Sequence, residues 1–240
     1  MTFIFQKELS HIKNFLRLYA SNRYIYLRKY IKSNKKSKIR LLDVGCGVHS
    51  PKVIEALFST KVEYYGIDKI DIKDSLDKKY SRMRFIKIDL EKELEILDKK
   101  LKNNFFDFIM MNHVIEHLEN GLEVVSVLCK KLKEGGGFYI EYPGVRSLSL
   151  PSMKGTLNFC DDPTHKRIYS IQEIGNVLLK NNFRIIKAGV VRNPLMISLI
   201  PFRLIESIFY NYSKASIFWD LFGFAEFIYA IKKNNSYKHN

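Results

Sequence analysis

The chain has 240 residues, 46% of them hydrophobic, only three cysteines, and a formal net charge of +15. That apolar content supports a sizeable core and excludes wholesale disorder, and the length suits one domain with appendages. The charge is local: residues 1–40 carry eleven Lys or Arg against the single acid Glu8, while residues 41–189 carry 23 basic and 21 acidic residues, so the basic balance does not describe a polyanion-binding face on the middle of the chain.

From the start, MTFIFQKELSHIKNF acquires charge by Lys7 and Glu8 and has no sustained apolar run, which predicts no secretory signal and a cytoplasmic protein. Cys46, Cys129 and Cys160 are widely spaced, without a CxxC pair, and read as free thiols of a reducing compartment. Leu9, Ile12, Leu16 and Tyr19 fall at helical spacing. Tyr24, Tyr26 and Tyr30 then interleave with Arg23, Arg28 and Lys29, a pattern that fits either base stacking or an amphipathic helix over a cleft. Ser33–Lys38 is a linker.

The stretch LLDVGCGVHS, Leu41–Ser50, predicts a buried strand, a glycine turn that presents backbone N–H groups to a ligand, and a helix opened by Ser50 as N-cap with Pro51 following. A second strand, Val62–Ile67, ends at Asp68, 25 positions after Asp43; a third, Arg84–Ile88, ends at Asp89; a fourth, Phe105–Met111, ends at Asn112. Four strand ends thus place polar residues at the carboxyl edge of a parallel sheet, where such sheets bind ligands. Helices are predicted at Glu91–Lys102 and Leu122–Leu132, with Gly135–Gly137 leading into a fifth strand, Phe138–Tyr142. Ser170 and Glu173 form a capping box before a helix with Ile174, Val177 and Leu178. Phe183–Val191 and Ala225–Ile231 are the last two strands, and the strongly apolar segment Asn193–Gly223 between them is interrupted by Pro201 and Arg203 and is too broken to span a bilayer.

DVGCG at Asp43–Gly47, GID at Gly66–Asp68, KIDLEK at Lys87–Lys92, FDFIMMNHVIEHL at Phe106–Leu118, LKEGGGFYIEYP at Leu132–Pro143 and DDPTHKRIYSIQEI at Asp161–Ile174 occur in one order. Over Ile39–Val191 they resemble the class I S-adenosylmethionine (SAM) dependent methyltransferases; His49 stands where many members carry a third glycine. The resemblance implies a Rossmann-like, doubly wound α/β fold with a seven-stranded, mostly parallel sheet and an antiparallel last strand. It is elaborated by N-terminal helices and a helical insertion before that strand. The expected organisation is a basic N-terminal segment (1–38), a SAM-binding core (39–192), the apolar insertion (193–223) and the last strand with the tail (224–240).

The same resemblance implies that Asp43, Gly45, Cys46 and Gly47 hold the methionine part of SAM, Asp68 the ribose, Asp89 and Leu90 the adenine, and that Asn112 floors the site. Methyl transfer needs the acceptor held close and in line, and a hydroxyl acceptor also needs its proton removed. His165 is the favoured base and His117 the second candidate, with packing an adequate account of the latter. The cluster Asp161, Asp162, His165, Lys166, Arg167 and Tyr169 would orient the imidazole and engage the acceptor. The expected activity is O-methylation of a small molecule or a glycan or lipid-linked saccharide precursor, with no metal assigned. Two alternatives stand beside it: an RNA or quinone O-methyltransferase with a divalent metal at His113, Glu116 and His117, and a non-catalytic SAM-binding module. Nucleic acid is the less favoured partner. The insertion reads as a core element, a homodimer face, or a peripheral membrane contact made together with the basic N-terminus.

Overall fold

In a computed structural model, residues 19–72, 75–77, 80–210 and 215–234 are described. The amphipathic pattern predicted over Leu9–Leu16 lies outside them. Seven strands form one sheet: β1 (Ile39–Val44), β2 (Val62–Asp68), β3 (Arg84–Lys87), β4 (Phe106–Asn112), β5 (Leu132–Pro143), β6 (Phe183–Val190) and β7 (Ala225–Lys232). Their order is β3-β2-β1-β4-β5-β7-β6, with β7 antiparallel to both neighbours and the other pairs parallel. The order reverses beside β1, which places the switch point, and hence the ligand crevice, at the carboxyl ends of β1 and β4.

Alternation along β1 explains why the sheet is covered on both sides. Leu42 and Val44 enter a core with Leu97 of α3 (Leu94–Lys100), Leu128 of α4 (Gly121–Lys131) and Leu178 of α5 (Ile171–Lys180). Leu41 and Ile39 enter the opposite core with Leu27 and Tyr30 of α1 (Asn22–Ser33) and Ile54 of α2 (Ser50–Phe58). The Tyr-rich stretch therefore packs as a helix on the sheet: Tyr26 lies 4.7 Å from Tyr229 between ring centroids, and Tyr24 and Tyr30 are buried. The predicted capping box opens α5, with Ser170 accepting from the Glu173 N–H and Glu173 accepting from Ser170 in return.

Three boundaries differ from the sequence expectation. His49, not Ser50, is the N-cap of α2, because the Ser50 hydroxyl donates instead to Asp43 (2.5 Å). The helix predicted from Glu91 begins only at Leu94, since Asp89 and Glu93 close the intervening turn through the N–H groups of Glu91 and Asp89. Gly135–Gly137 lie inside β5 rather than ahead of it; α4 stops at Lys131 and the strand starts at once, with a register shift against β4.

The insertion is a run of short helices, α6 (Pro194–Ser198), α7 (Ile200–Tyr210) and α8 (Ala215–Phe218), followed by one π-helical turn at Trp219–Gly223. Arg203, read from sequence as an interruption, is buried and bonds the Met196 carbonyl (3.1 Å) and Asp220 (2.7 Å), so it joins the two ends of the insertion. Among the described residues, no helix is long and apolar enough to cross a membrane.

Candidate active site

The glycine loop after β1 turns its amides inward. The N–H groups of Gly45 and Cys46 both donate to the Ile67 carbonyl (2.8 and 3.1 Å), and that of Gly47 donates to Asp68 Oδ2 (2.9 Å). The expectation that this loop offers free N–H groups therefore gives way to a loop tied onto the end of β2. Gly45 and Gly47 have φ of +70° and +49°, a region that penalises a Cβ. Their surroundings differ: a Cβ at Gly45 would lie 2.1 Å from Val114 Cγ2, whereas one at Gly47 would meet nothing within 4 Å. Gly45 is needed for close packing; Gly47 opens onto free space. Cys46 sends its thiol inward against Gly66, where burial raises its pKa.

Asp43 is buried, and its Oδ2 accepts from Ser50 and from Tyr64 (2.7 Å). Burial pushes its pKa up to about 6 despite those two bonds. Asp68 closes β2 with Oδ1 accepting from the Ile70 N–H. Asp89 follows β3 and accepts from Glu91, and Leu90 is buried beside it. Asn112 ends β4 next to Glu141 of β5, and its Oδ1 is buried with no hydrogen-bond partner among the described residues.

Sequence reasoning missed a charged group at this edge. Glu141 is buried, accepts from Tyr139 (2.5 Å), and lies 3.5 Å from His113 Nε2; His113 Nδ1 lies 3.3 Å from Glu116. Burial alone would lower the His113 pKa, but the two carboxylates outweigh it and raise it to about 9. His113, named in the divalent-metal alternative with Glu116 and His117, thus lies between two carboxylates that both favour its charged form. The partly buried Arg23 of α1 is held charged by Glu141 and Asp43 among its neighbours, and its Nε is buried without a partner among the described residues. Glu141 closes its strand as Asp43 and Asp68 close theirs, so the strand-end pattern contained it. Arg23 stood in the aromatic–basic stretch read as a helix over a cleft, but nothing there set it apart from Arg28 and Lys29.

The loop after β5 is less open to an acceptor than its composition suggests. Asp161 accepts from Ser152 and from the N–H groups of Met153, Leu157 and Asn158, so it braces the loop. Lys166 pairs with Glu91, Arg167 with Glu173, and the Tyr169 hydroxyl is buried on the Leu118 carbonyl and the Gly121 N–H. His165 and His117 remain, with rings 4.9 Å apart. The structure brings them together on one side of Glu116. His117 Nδ1 donates to the Thr164 carbonyl (3.1 Å), and His165 Nδ1 to the Phe159 carbonyl (2.7 Å); a carbonyl can only accept, so the neutral form of each ring has its lone pair at Nε2. Trp219 of the insertion lies 5.7 Å from the His113 ring and donates to the Thr156 carbonyl (2.6 Å), which sets the insertion over this end of the site.

Comparison with known proteins agrees with this geometry. Solved structures of the same fold include a SAM-dependent methyltransferase from Archaeoglobus fulgidus (23% identity, 87% of this chain and 92% of that one, TM-score 0.57) and one from Mesorhizobium loti (14%, 90% and 100%, 0.63). A third is phosphoethanolamine N-methyltransferase 2 of Haemonchus contortus in complex with SAM (16%, 87% and 51%, 0.59). No curated protein matches. A family profile described as a methyltransferase domain matches residues 15–188, most of the chain. The strand order is that of the methyltransferase fold, and the chain belongs to the methyltransferase-domain family.

Proposed function

We propose that this methyltransferase transfers the methyl group of SAM to an oxygen of a small-molecule or saccharide acceptor bound beside His117 and His165. The observation that carries the reading is the shared edge. The open flank of Gly47, the unpartnered Asn112 Oδ1 and the two imidazoles lie at or beside the carboxyl ends of β1, β2, β4 and β5. The residues fit the cofactor: Gly47 leaves room for close approach, and Asn112 has an acceptor to fill. SAM supplies a methyl group already activated on a sulfonium, so the protein's work is to position, to exclude water and to handle one proton.

Asp68 would accept the ribose hydroxyls with its remaining lone pairs, and Leu90 with Asp89 would hold the adenine. Asp43 and Glu141 provide negative charge for the cationic methionine end, and Arg23 provides the counter-charge for its carboxylate. His165, whose side chain is 6% exposed, would take the acceptor proton at Nε2, with His117 beside it.

An acceptor carried on a lipid is favoured by the outer surface. Phe202, Ile205, Leu195 and Phe222 of the insertion are exposed, and Asn193 at its start donates to the Ala20 carbonyl (3.3 Å), next to the basic N-terminal segment.

The test is native mass spectrometry for copurified SAM or its demethylated product, followed by an extract screen with labelled methyl donor. Asp68→Ala should weaken SAM binding by about 1.5–3 kcal/mol, the scale of hydrogen bonds to a charged group; wild-type affinity in the folded variant removes the ribose assignment. His165→Ala should lower turnover by about 10²- to 10⁴-fold with SAM affinity kept, and full turnover across the pH range removes the proton-acceptor role.

A further inference from the structure

We infer that Glu116, His117 and His165 form a binding site for one first-row divalent transition ion, of the Zn²⁺, Fe²⁺ or Mn²⁺ class. One ligating atom from each of the three side chains lies within 4.8 Å of the other two. Ligands sharing an ion at about 2.0–2.2 Å sit at most about 4.4 Å apart, so closure needs only side-chain adjustment.

Three independent features support an ion here. The Glu116 side chain is 2% exposed, and neither carboxylate oxygen has a hydrogen-bond partner among the described residues. His113 already stands 3.3 Å from Oε1 as an ion-pair partner, but the other oxygen has no partner among the described residues. A buried carboxylate oxygen in that condition is costly unless a further cation reaches it. Each histidine also has its Nδ1–H fixed on a backbone carbonyl, Thr164 for His117 and Phe159 for His165. That arrangement orients metal-binding imidazoles and, in the neutral ring, leaves Nε2 as the nitrogen able to ligate. Finally, the three ligands are held on a prepared frame: the N–H groups of Lys166 and Arg167 both donate to the Glu116 carbonyl (2.8 and 3.2 Å), which joins the loop bearing His165 to the turn bearing Glu116 and His117.

The donor set selects the ion. Two imidazoles and one carboxylate suit Zn²⁺, Fe²⁺ or Mn²⁺, whereas Mg²⁺ prefers oxygen throughout. Glu116 brings one negative charge, and Asp162, 3.9 Å from His165 Nε2, adds a second nearby. Three protein ligands leave a coordination position for an acceptor oxygen. This role rests on the O-methylation reading above. The acceptor's proton departs to solvent, the oxygen's negative charge is stabilised by the ion, and that oxygen forms the new bond to carbon as the carbon–sulfur bond breaks with its electron pair going to sulfur. With the ion in place, His165 is a ligand, and the proton no longer needs a histidine to receive it.

The site is tested by metal uptake, separately from activity. Untagged full-length protein, stripped with chelator, is titrated with Co²⁺ followed by visible absorption, and with Zn²⁺ and Mg²⁺ in calorimetry. One equivalent of Co²⁺ and Zn²⁺ should bind, with Mg²⁺ at least tenfold weaker. Glu116→Gln and His165→Asn, checked for fold by circular dichroism, should each weaken Co²⁺ binding by roughly 10- to 100-fold or more. Folded wild-type protein that takes up no ion, or uptake untouched by both substitutions, overturns the site. Stripped protein that still binds SAM and methylates a hydroxyl at the full rate removes the ion's catalytic role and leaves methyl transfer standing. Stoichiometric uptake sensitive to both variants supports the site even if no hydroxyl acceptor is ever found.

Discussion

Asp43 is the residue at which folding and binding pull in opposite directions. Its carboxylate is buried at the end of β1, and desolvation raises its pKa from 3.8 to about 6 even with Ser50 and Tyr64 donating to it. Because the folded-state value lies above the unfolded one, the neutral acid favours folding. Its contribution is whole below about pH 4, declines as pH rises through about 6, and is then gone. Two units correspond to about 3 kcal/mol. Asp43→Asn keeps an acceptor for Ser50 and Tyr64 without the charge. The variant should match or fall below wild type in stability at pH 4.5 and gain on it by up to about 3 kcal/mol at pH 7.5, while binding SAM less tightly. Denaturant unfolding at the two pH values checks this, and a stability difference that does not move with pH would return Asp43 to an ordinary carboxylate. Such tension between stability and a prepared charge is expected where sites are built.

Between elements, the decisive contact joins the glycine loop of β1 to the turn after β4. Gly45 lies against Val114, which immediately precedes the helical turn Ile115–His117. Alanine at position 45 would combine left-handed strain of about 1–2 kcal/mol with overpacking of about 1–3 kcal/mol. We expect Gly45→Ala to cost about 2–5 kcal/mol and to disturb the turn that carries Glu116 and His117. Val114→Ala in the same chain should recover part of that loss, measured as a coupling in a double-mutant cycle; strict additivity would mean that the two elements do not press on each other.

The glycine itself was legible from the sequence, and so were the strands, because local pattern and position at a strand end carry that information. The contact was not, since Val114 is 69 positions away and ordinary in composition. Likewise His165 and His117 were both visible as candidates, but the pairing of their rings, the use of Asp161 and Tyr169 as braces, and the diversion of His113 to Glu141 depend on how the loop after β5 folds back. Arg203 shows the limit from the other direction. Its charge looked like a break in an apolar segment and is a buried tie within it.

At the scale of the whole molecule, one hydrogen bond ties the basic N-terminal segment to the insertion that carries several exposed apolar residues. The sequence places eleven basic residues and one acid in positions 1–40. The structure ties Ala20, halfway along that segment, to Asn193 at the entrance of the insertion. Beyond it, Phe202 is 76% exposed and Ile205 55% exposed, on a helix whose Arg203 and Ser207 are buried on the other side. An anionic lipid surface would offer charge for the first part and an apolar boundary for the second, each basic residue near the surface contributing about 1 kcal/mol at moderate salt. We expect the full chain to bind vesicles containing anionic lipid in preference to neutral ones, with binding falling steeply as salt rises and the Debye length shrinks from about 10 Å at 0.1 M. Phe202→Ser with Ile205→Ser should remove most of the residual binding at high salt, where the electrostatic part is screened, and leave SAM affinity unchanged. Equal or negligible partition to both vesicle types would turn the insertion's outer face toward another protein surface. If sedimentation then gives a dimer that the same double substitution dissociates, a second copy of this chain is the partner.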